Sequence, residues 1–144
     1  MDPMGPNNRI WLAWDDSEVD VEVLFVFNQC IHCRVVARLT HEYSFITIVY
    51  GSNDLAGRRE LWGHLLTLME EVRDEPWLVL GDFNTVLDSS KVCGNSGDIT
   101  SAIDEFRTCI MDTGLLDVPL RGQFTRGIIV VMNLAVCGRN LTEC

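Results

Sequence analysis

Positive charge is scarce in this chain. Lys and Arg number 11 against 21 Asp and Glu, a formal net charge of −10 over 144 residues. Nucleic-acid phosphates attract a basic face, so this balance argues against unaided binding of DNA or RNA; a metal ion or a further basic segment would have to offset it. Also missing is any apolar run near the roughly 20 residues that a bilayer crossing needs. Ile128–Val136 falls far short of that and reads as a buried strand or, if left unpaired, as an aggregation-prone segment. Internal repeats and low-complexity stretches are absent. The start, Met1–Asn8, is polar and rich in Pro and Gly, which suits a disordered leader and not a secretory signal. Without a signal the six cysteines (Cys30, Cys33, Cys93, Cys109, Cys137 and Cys144) read as mostly free thiols of a cytosolic or nuclear protein that is not secreted. The Asn140-Leu141-Thr142 sequon then means little. Cys30-Ile31-His32-Cys33 has no second cluster at ligand spacing, which sets zinc aside.

What is present is a core. Hydrophobic residues make up 47% and charged residues 22%, within a length suited to one domain. Trp77-Leu78-Val79-Leu80 is apolar without alternation and reads as a strand buried on both faces. Gly81 lets the chain turn, and Asp82 and Asn84 arrive at the strand's carboxyl end, where open α/β sheets bind ligands. A carboxylate and an amide two residues apart suit a divalent cation and a phosphate oxygen. A strand ending in a plain Asx turn is the other reading, since Asp and Asn favour turns for their own reasons.

Upstream, Ile10–Trp14 could form a short strand, with a turn at Asp15-Asp16-Ser17. Val19, Val21, Val23, Phe25 and Phe27 alternate with Asp20 and Glu22, and Ile31, Cys33, Val35, Ala37 and Leu39 alternate with His32, Arg34 and Arg38. The two runs predict a hairpin. A two-residue loop would set Phe25 against His32 and spoil the apolar face. A three-residue loop, Asn28–Cys30, pairs Phe27 with Ile31, Phe25 with Cys33 and Val23 with Val35. It also faces Asp20 with Arg38 and keeps His32 outside. After a turn at Thr40-His41-Glu42, Tyr43–Tyr50 reads as a strand with both faces covered, one by a second sheet and one by helices. Gly51–Asp54 caps a helix over about Leu55–Arg73, with Leu61, Leu65, Leu68, Met69 and Val72 on its stripe. Glu75-Pro76 stops it. Strand, helix and strand make a parallel unit; if its strands are neighbours, Tyr50 and Asp82 lie side by side. Ser89–Asp98 reads as a polar loop. Thr100 or Ser101 caps a second helix, with Ile103, Phe106 and Ile110 buried, Glu105 and Arg107 wet, and Gly114 just past its end. Leu115–Val118 is a short buried segment, and Phe124-Thr125 starts a further strand.

With those residues placed, the chain resembles the endonuclease/exonuclease/phosphatase superfamily, and within it the endonuclease domain of plant LINE-type retrotransposons. The residues carrying the resemblance are Ile48-Val49-Tyr50-Gly51-Ser52-Asn53, Arg58-Arg59-Glu60-Leu61-Trp62 and Trp77–Asn84. Ile103-Asp104-Glu105-Phe106, Gly114-Leu115-Leu116-Asp117 and Gly122-Gln123-Phe124-Thr125 add to it. The likeness spans about Arg9 to Thr125. It implies an α/β fold, a two-sheet sandwich flanked by helices, and phosphodiester hydrolysis assisted by Mg²⁺ or Mn²⁺. In such a site Asp82 would hold the metal and help activate water, Asn84 would hold a phosphate oxygen, and Tyr50 would donate to charge developing on the phosphate.

The departures from the family shape the expectation. Its Asn-bearing first strand and the strand with its metal-binding Glu find no match here; Asp15, Asp16, Glu18 and Glu22 fit neither. Its Ser-Asp-His box has no counterpart, and His32, His41 and His64 all precede the Gly81-Asp82-Phe83-Asn84 box. The expectation is therefore a leader (1–8), an incomplete two-sheet endonuclease-type domain (9–125) and a divergent apolar tail (126–144). DNA is the implied partner, held weakly given the acidic charge, and activity is expected to be impaired. The alternatives are a non-catalytic binding module that self-associates through its sheet edges, and a phosphatase acting on a small phosphoester.

Overall fold

The computed structural model describes residues 9–85, 97–118 and 128–133. Eight elements follow one another: β1 (Val19–Val26), β2 (Cys30–Ala37), β3 (Tyr43–Tyr50), α1 (Leu55–Val72), β4 (Trp77–Asp82), α2 (Gly97–Thr113), β5 (Leu115–Asp117) and β6 (Ile128–Asn133). The strands join into one mixed sheet in the order β1-β2-β3-β4-β6-β5. Only β3 and β4 run parallel; the other neighbours are antiparallel. This is an α/β fold. Within the apolar stretch after Thr125, β6 thus lies between two strands, pairing with β4 through Ile128–Met132 and with β5 through Val131–Asn133. The leader, residues 89–96 of the expected Ser89–Asp98 loop, the expected Phe124-Thr125 strand and the sequon lie outside the described residues, while Gly97 and Asp98 belong to α2. Among the described residues no helix is long and apolar enough to cross a membrane.

One face of the sheet carries the core. Cys30, Val49, Trp77 and Val79 meet Leu61, Trp62, Leu65, Leu68 and Val72 of α1, then Phe83, Phe106, Cys109, Ile110 and Leu115. Trp62 stacks on Phe106 at 4.9 Å, and Phe83 lies 5.0 Å from Phe106, so three aromatic rings seal α1 to α2 beneath the turn after β4. At the surface Arg59 clamps Glu105 with Nη2 at 2.7 Å and Nε at 3.1 Å, and draws that carboxyl below its usual pKa. Being exposed, the pair contributes little. On the other face Ile31, Val35, Ile46, Ile48, Leu78 and Leu80 are half-buried.

Several sequence expectations need correction. Ile10–Trp14 is not a strand. The second helix begins at Gly97, so Thr100 lies inside it and does not cap it. The hairpin has a two-residue loop: Phe27 N–H donates to Cys30 O at 2.8 Å, leaving Asn28 and Gln29 at the tip. Val19, Val21 and Val23 sit opposite Ala37, Val35 and Cys33, and a bulge at Leu24 then sets Phe25 against His32. The bulge moves the strand's side chains to the other face. Val19, Val21 and Val23 point away from the helices, while Phe25 and Phe27 join the helical side, where Phe27 stacks on His64 at 3.9 Å. Asp20 lies opposite Val36, yet still forms an ion pair with Arg38 on the diagonal. Cys30 and Cys33, three apart on one strand, fall on opposite faces, and both thiols are free and buried. Burial pushes them up to about 12 and about 11.

His32 is inside, not outside, with 1% of its surface exposed. Its ring stacks on Phe45 at 5.6 Å, and Nδ1 lies 2.8 Å from Thr47 Oγ1, which also accepts the Trp77 indole N–H at 2.8 Å. Desolvation lowers its pKa to about 4. The folded value is below the unfolded one, so this contribution is intact above about pH 6.5 and declines as the pH falls toward 4. Between pH 7 and 4.5 the wild type should lose about 2 kcal/mol more unfolding free energy than His32→Gln. Urea unfolding of both proteins at the two pH values measures the difference; equal losses would remove His32 as the cause.

Candidate active-site rim

The parallel pairing of β3 with β4 sets the rim. Phe45 lies opposite Trp77, Thr47 opposite Val79, and the register ends with Tyr50 opposite Asp82. Residues opposite one another share a face about 4.8 Å apart, so the phenol and the carboxylate emerge together at the strands' carboxyl ends. Both are at least partly solvent-accessible, Tyr50 being 36% exposed.

Two glycines allow the approach. A Cβ on Gly81 would fall 2.0 Å from Val49 O, and φ there is +138°. A Cβ on Gly51 would fall 2.6 Å from Phe83 O. Gly51 N–H donates to Asp82 O at 2.7 Å, extending the ladder by one bond past the strand. Phe83 is fully buried and anchors the turn. Asp82 Oδ1 accepts the Asn84 backbone N–H at 2.9 Å, so the Asx turn is real. Asn84 takes φ +49°, a conformation Asn tolerates better than most residues. Its Nδ2 donates to Gly51 O at 2.5 Å, which ties the β4 turn to the β3–α1 loop. The bond to Gly51 uses one of the two Asn84 amide N–H groups, and the turn uses one of the two Asp82 oxygens.

Three further residues build the rim, and side-chain patterning gave no sign of what they do. Gln29, at the hairpin tip, is 7% exposed. Its carbonyl accepts Tyr50 N–H at 2.8 Å, its Oε1 accepts Ser52 N–H at 2.6 Å and its Nε2 donates to Gly57 O at 2.7 Å. Arg58, also 7% exposed, points from the first turn of α1 into the carbonyls of both loops. Arg9 places its guanidinium 5.6 Å from the Tyr50 ring centroid, a cation–π distance. Asp54 caps α1 by accepting Gly57 N–H at 2.7 Å; the Ser52 hydroxyl and that amide hold its carboxyl below the usual range.

The donor set limits what the rim can hold. Among the described residues no group of three or more His, Cys, Asp or Glu is arranged for a metal ion. One carboxylate fits Mg²⁺ only as a weak site, since that ion keeps several waters and takes one or two carboxylates.

No family model and no curated protein matches the sequence. Solved structures do. The endonuclease domain of TRAS1, a telomere-specific non-LTR retrotransposon, superposes with a TM-score of 0.62 at 14% identity, over 82% of this chain and 55% of that one. The human Nocturnin catalytic domain with bound sulfate gives 0.47 at 12% identity, over 82% and 49%. A Bacteroides thetaiotaomicron mannosyl-6-phosphatase gives 0.44 at 14%, over 72% and 42%.

The glycines yield a direct test. Gly81→Ala should cost about 3 kcal/mol or more, because strain and a backbone clash coincide. Gly63→Ala, in the middle of α1 with open space around its Cβ, should stabilise by about 0.5–1 kcal/mol. Thermal melts of both variants check the contrast.

The described part therefore has an endonuclease/exonuclease/phosphatase-type α/β fold, shared with a retrotransposon endonuclease domain of which the chain spans about half the length.

Proposed function

We propose that the rim is one part of a phosphodiester-cleaving site of the retroelement endonuclease type, with catalysis impaired. The observation that carries this is the placement of Tyr50 beside Asp82 at the ends of adjacent parallel strands, with Asn84 tied to the same corner. Asp82 would hold Mg²⁺ or Mn²⁺, which when bound supplies charge neutralisation at the phosphate. Tyr50 would donate its hydroxyl to a non-bridging phosphate oxygen, and Asn84 its second amide N–H to another. Impairment follows from what the sequence does not match: the family's second metal-binding carboxylate and its catalytic His. Loss of one member of a catalytic unit costs orders of magnitude in rate. DNA is the substrate implied by the TRAS1 likeness. The net charge of −10 favours a second reading, a small soluble phosphoester.

Thermal melting in 10 mM Mn²⁺ or Mg²⁺ tests the metal role. A dissociation constant of about 1 mM gives a stabilisation of about 1.4 kcal/mol, or several degrees, absent from Asp82→Asn. Nicking of supercoiled plasmid and hydrolysis of nucleotides and sugar phosphates separate the two substrate classes. Slow turnover of one class that disappears in Asp82→Ala and Tyr50→Phe supports the site. Robust turnover indifferent to both substitutions would falsify it.

A further inference from the structure

We propose that Arg58 is the positioning residue of this rim, holding the Asn84 amide and the loop after Tyr50 as one unit; this rests on the phosphate-site reading above. Arg58 Nη1 donates to Ser52 O at 3.0 Å, Asn53 O at 2.8 Å and Asn84 O at 3.2 Å. Three carbonyls from two loops thus converge on one nitrogen, and these loops are the ones that carry Tyr50 and Asn84. Among the described residues Nε, which is buried, finds no hydrogen-bond partner. Among the described residues no carboxylate forms an ion pair with Arg58, the two ion pairs found there being Arg38–Asp20 and Arg59–Glu105.

A buried cation held by carbonyl dipoles, with the Asp54 and Glu105 carboxylates near but not in contact, is costly unless it organises something. Here it organises the rim in two ways. It draws three oxygens, each a partial negative charge, away from the space an incoming anion would use. Because each peptide is trans, turning those carbonyls inward turns the following N–H groups, at Asn53, Asp54 and Thr85, the other way. It also leaves a positive field beneath a rim whose own acid, Asp82, would otherwise repel phosphate. The Asn84 Nδ2–Gly51 O bond spans the same two loops, so it reports whether they are held together.

The test compares Arg58→Lys and Arg58→Met in ¹⁵N-labelled full-length protein. The readouts are hydrogen exchange of the Asn84 side-chain amide and the response of Tyr50 and Asn84 resonances to Mg²⁺ and inorganic phosphate. A role confined to general stability would speed exchange across α1 and the core alike and leave ligand affinity of the folded protein unchanged. A positioning role speeds the Asn84 amide on the order of tenfold more than core amides and weakens ligand response on the order of tenfold, with partial rescue by Lys. Folded Arg58→Met with wild-type Asn84 exchange overturns the proposal. If that variant does not fold, Arg58→Lys decides on the same readout: it keeps the charge without the planar fork, and wild-type exchange in it overturns the proposal equally. A wild type whose resonances ignore both ligands refutes the phosphate-site reading instead, while the exchange comparison still judges Arg58.

Discussion

At the carboxyl end of β4 two backbones approach more closely than any side chain permits. Gly81 faces Val49 and Gly51 faces Phe83 across gaps that a Cβ would close to 2.0 and 2.6 Å. That approach lets the β3–β4 register run through to its last pair, Tyr50 with Asp82, and lets Gly51 N–H reach Asp82 O. The consequences propagate outward. With the strands this close, the Asx turn of Asp82 brings Asn84 to Gly51 O. Phe83, held between the two bonded residues, drops into the aromatic cluster with Trp62 and Phe106. The chemistry-bearing rim and the helix packing are thus two sides of one constraint.

The parallel unit was legible in the sequence because its signals are blocks. An apolar strand, an amphipathic helix with an Asp cap, a Pro stop and a second apolar strand each span many residues and agree with one another. The hairpin was not legible, because the deciding feature is one residue. Leu24 is as apolar as its neighbours, so nothing in the alternation marks it as the bulge that swaps the strand's faces. His32 was misplaced for a related reason. Its burial depends on Thr47, which meets its Nδ1 from the adjacent strand 15 positions along the chain and in turn accepts the Trp77 indole N–H. A polar residue with partners that distant looks solvent-facing in any local pattern. The structural roles of Gln29, and of Arg58 beyond its place in the family motif, are illegible in the sequence because their partners are backbone groups, to which side-chain periodicity is blind.

The sheet's outer edges bear on how the chain associates. β1 is an edge of eight residues, and Val23, Leu24, Phe25 and Val26 are each 37–46% exposed, the kind of strand that invites pairing with another chain. Its details oppose self-pairing. Two copies joined antiparallel through the straight portion, Val19–Val23, about a two-fold axis normal to the sheet set Asp20 against Glu22 twice. Like charges directly opposite are destabilising. Past Val23 the bulge turns Phe25 toward the helices, so no symmetric register through both portions keeps apolar residues on one face. The opposite edge, β5, is three residues long and offers little length for a partner.

Electrostatics connects these edges to the rim. The chain's net charge of −10 would oppose a phosphate ligand. Two guanidinium groups near the rim offset it locally, and they do so differently. Arg9 lies over the exposed Tyr50 ring, where water and salt screen it. Arg58 is buried, fixed by three carbonyls and screened far less, so its field persists at an ionic strength that silences Arg9. With Asp82 and Asp54 as the rim's carboxylates, the balance there is close to neutral even though the molecule is strongly acidic. A bound divalent ion would make it positive. Metal and anion should therefore assist one another at this corner, since each neutralises the charge that the other brings.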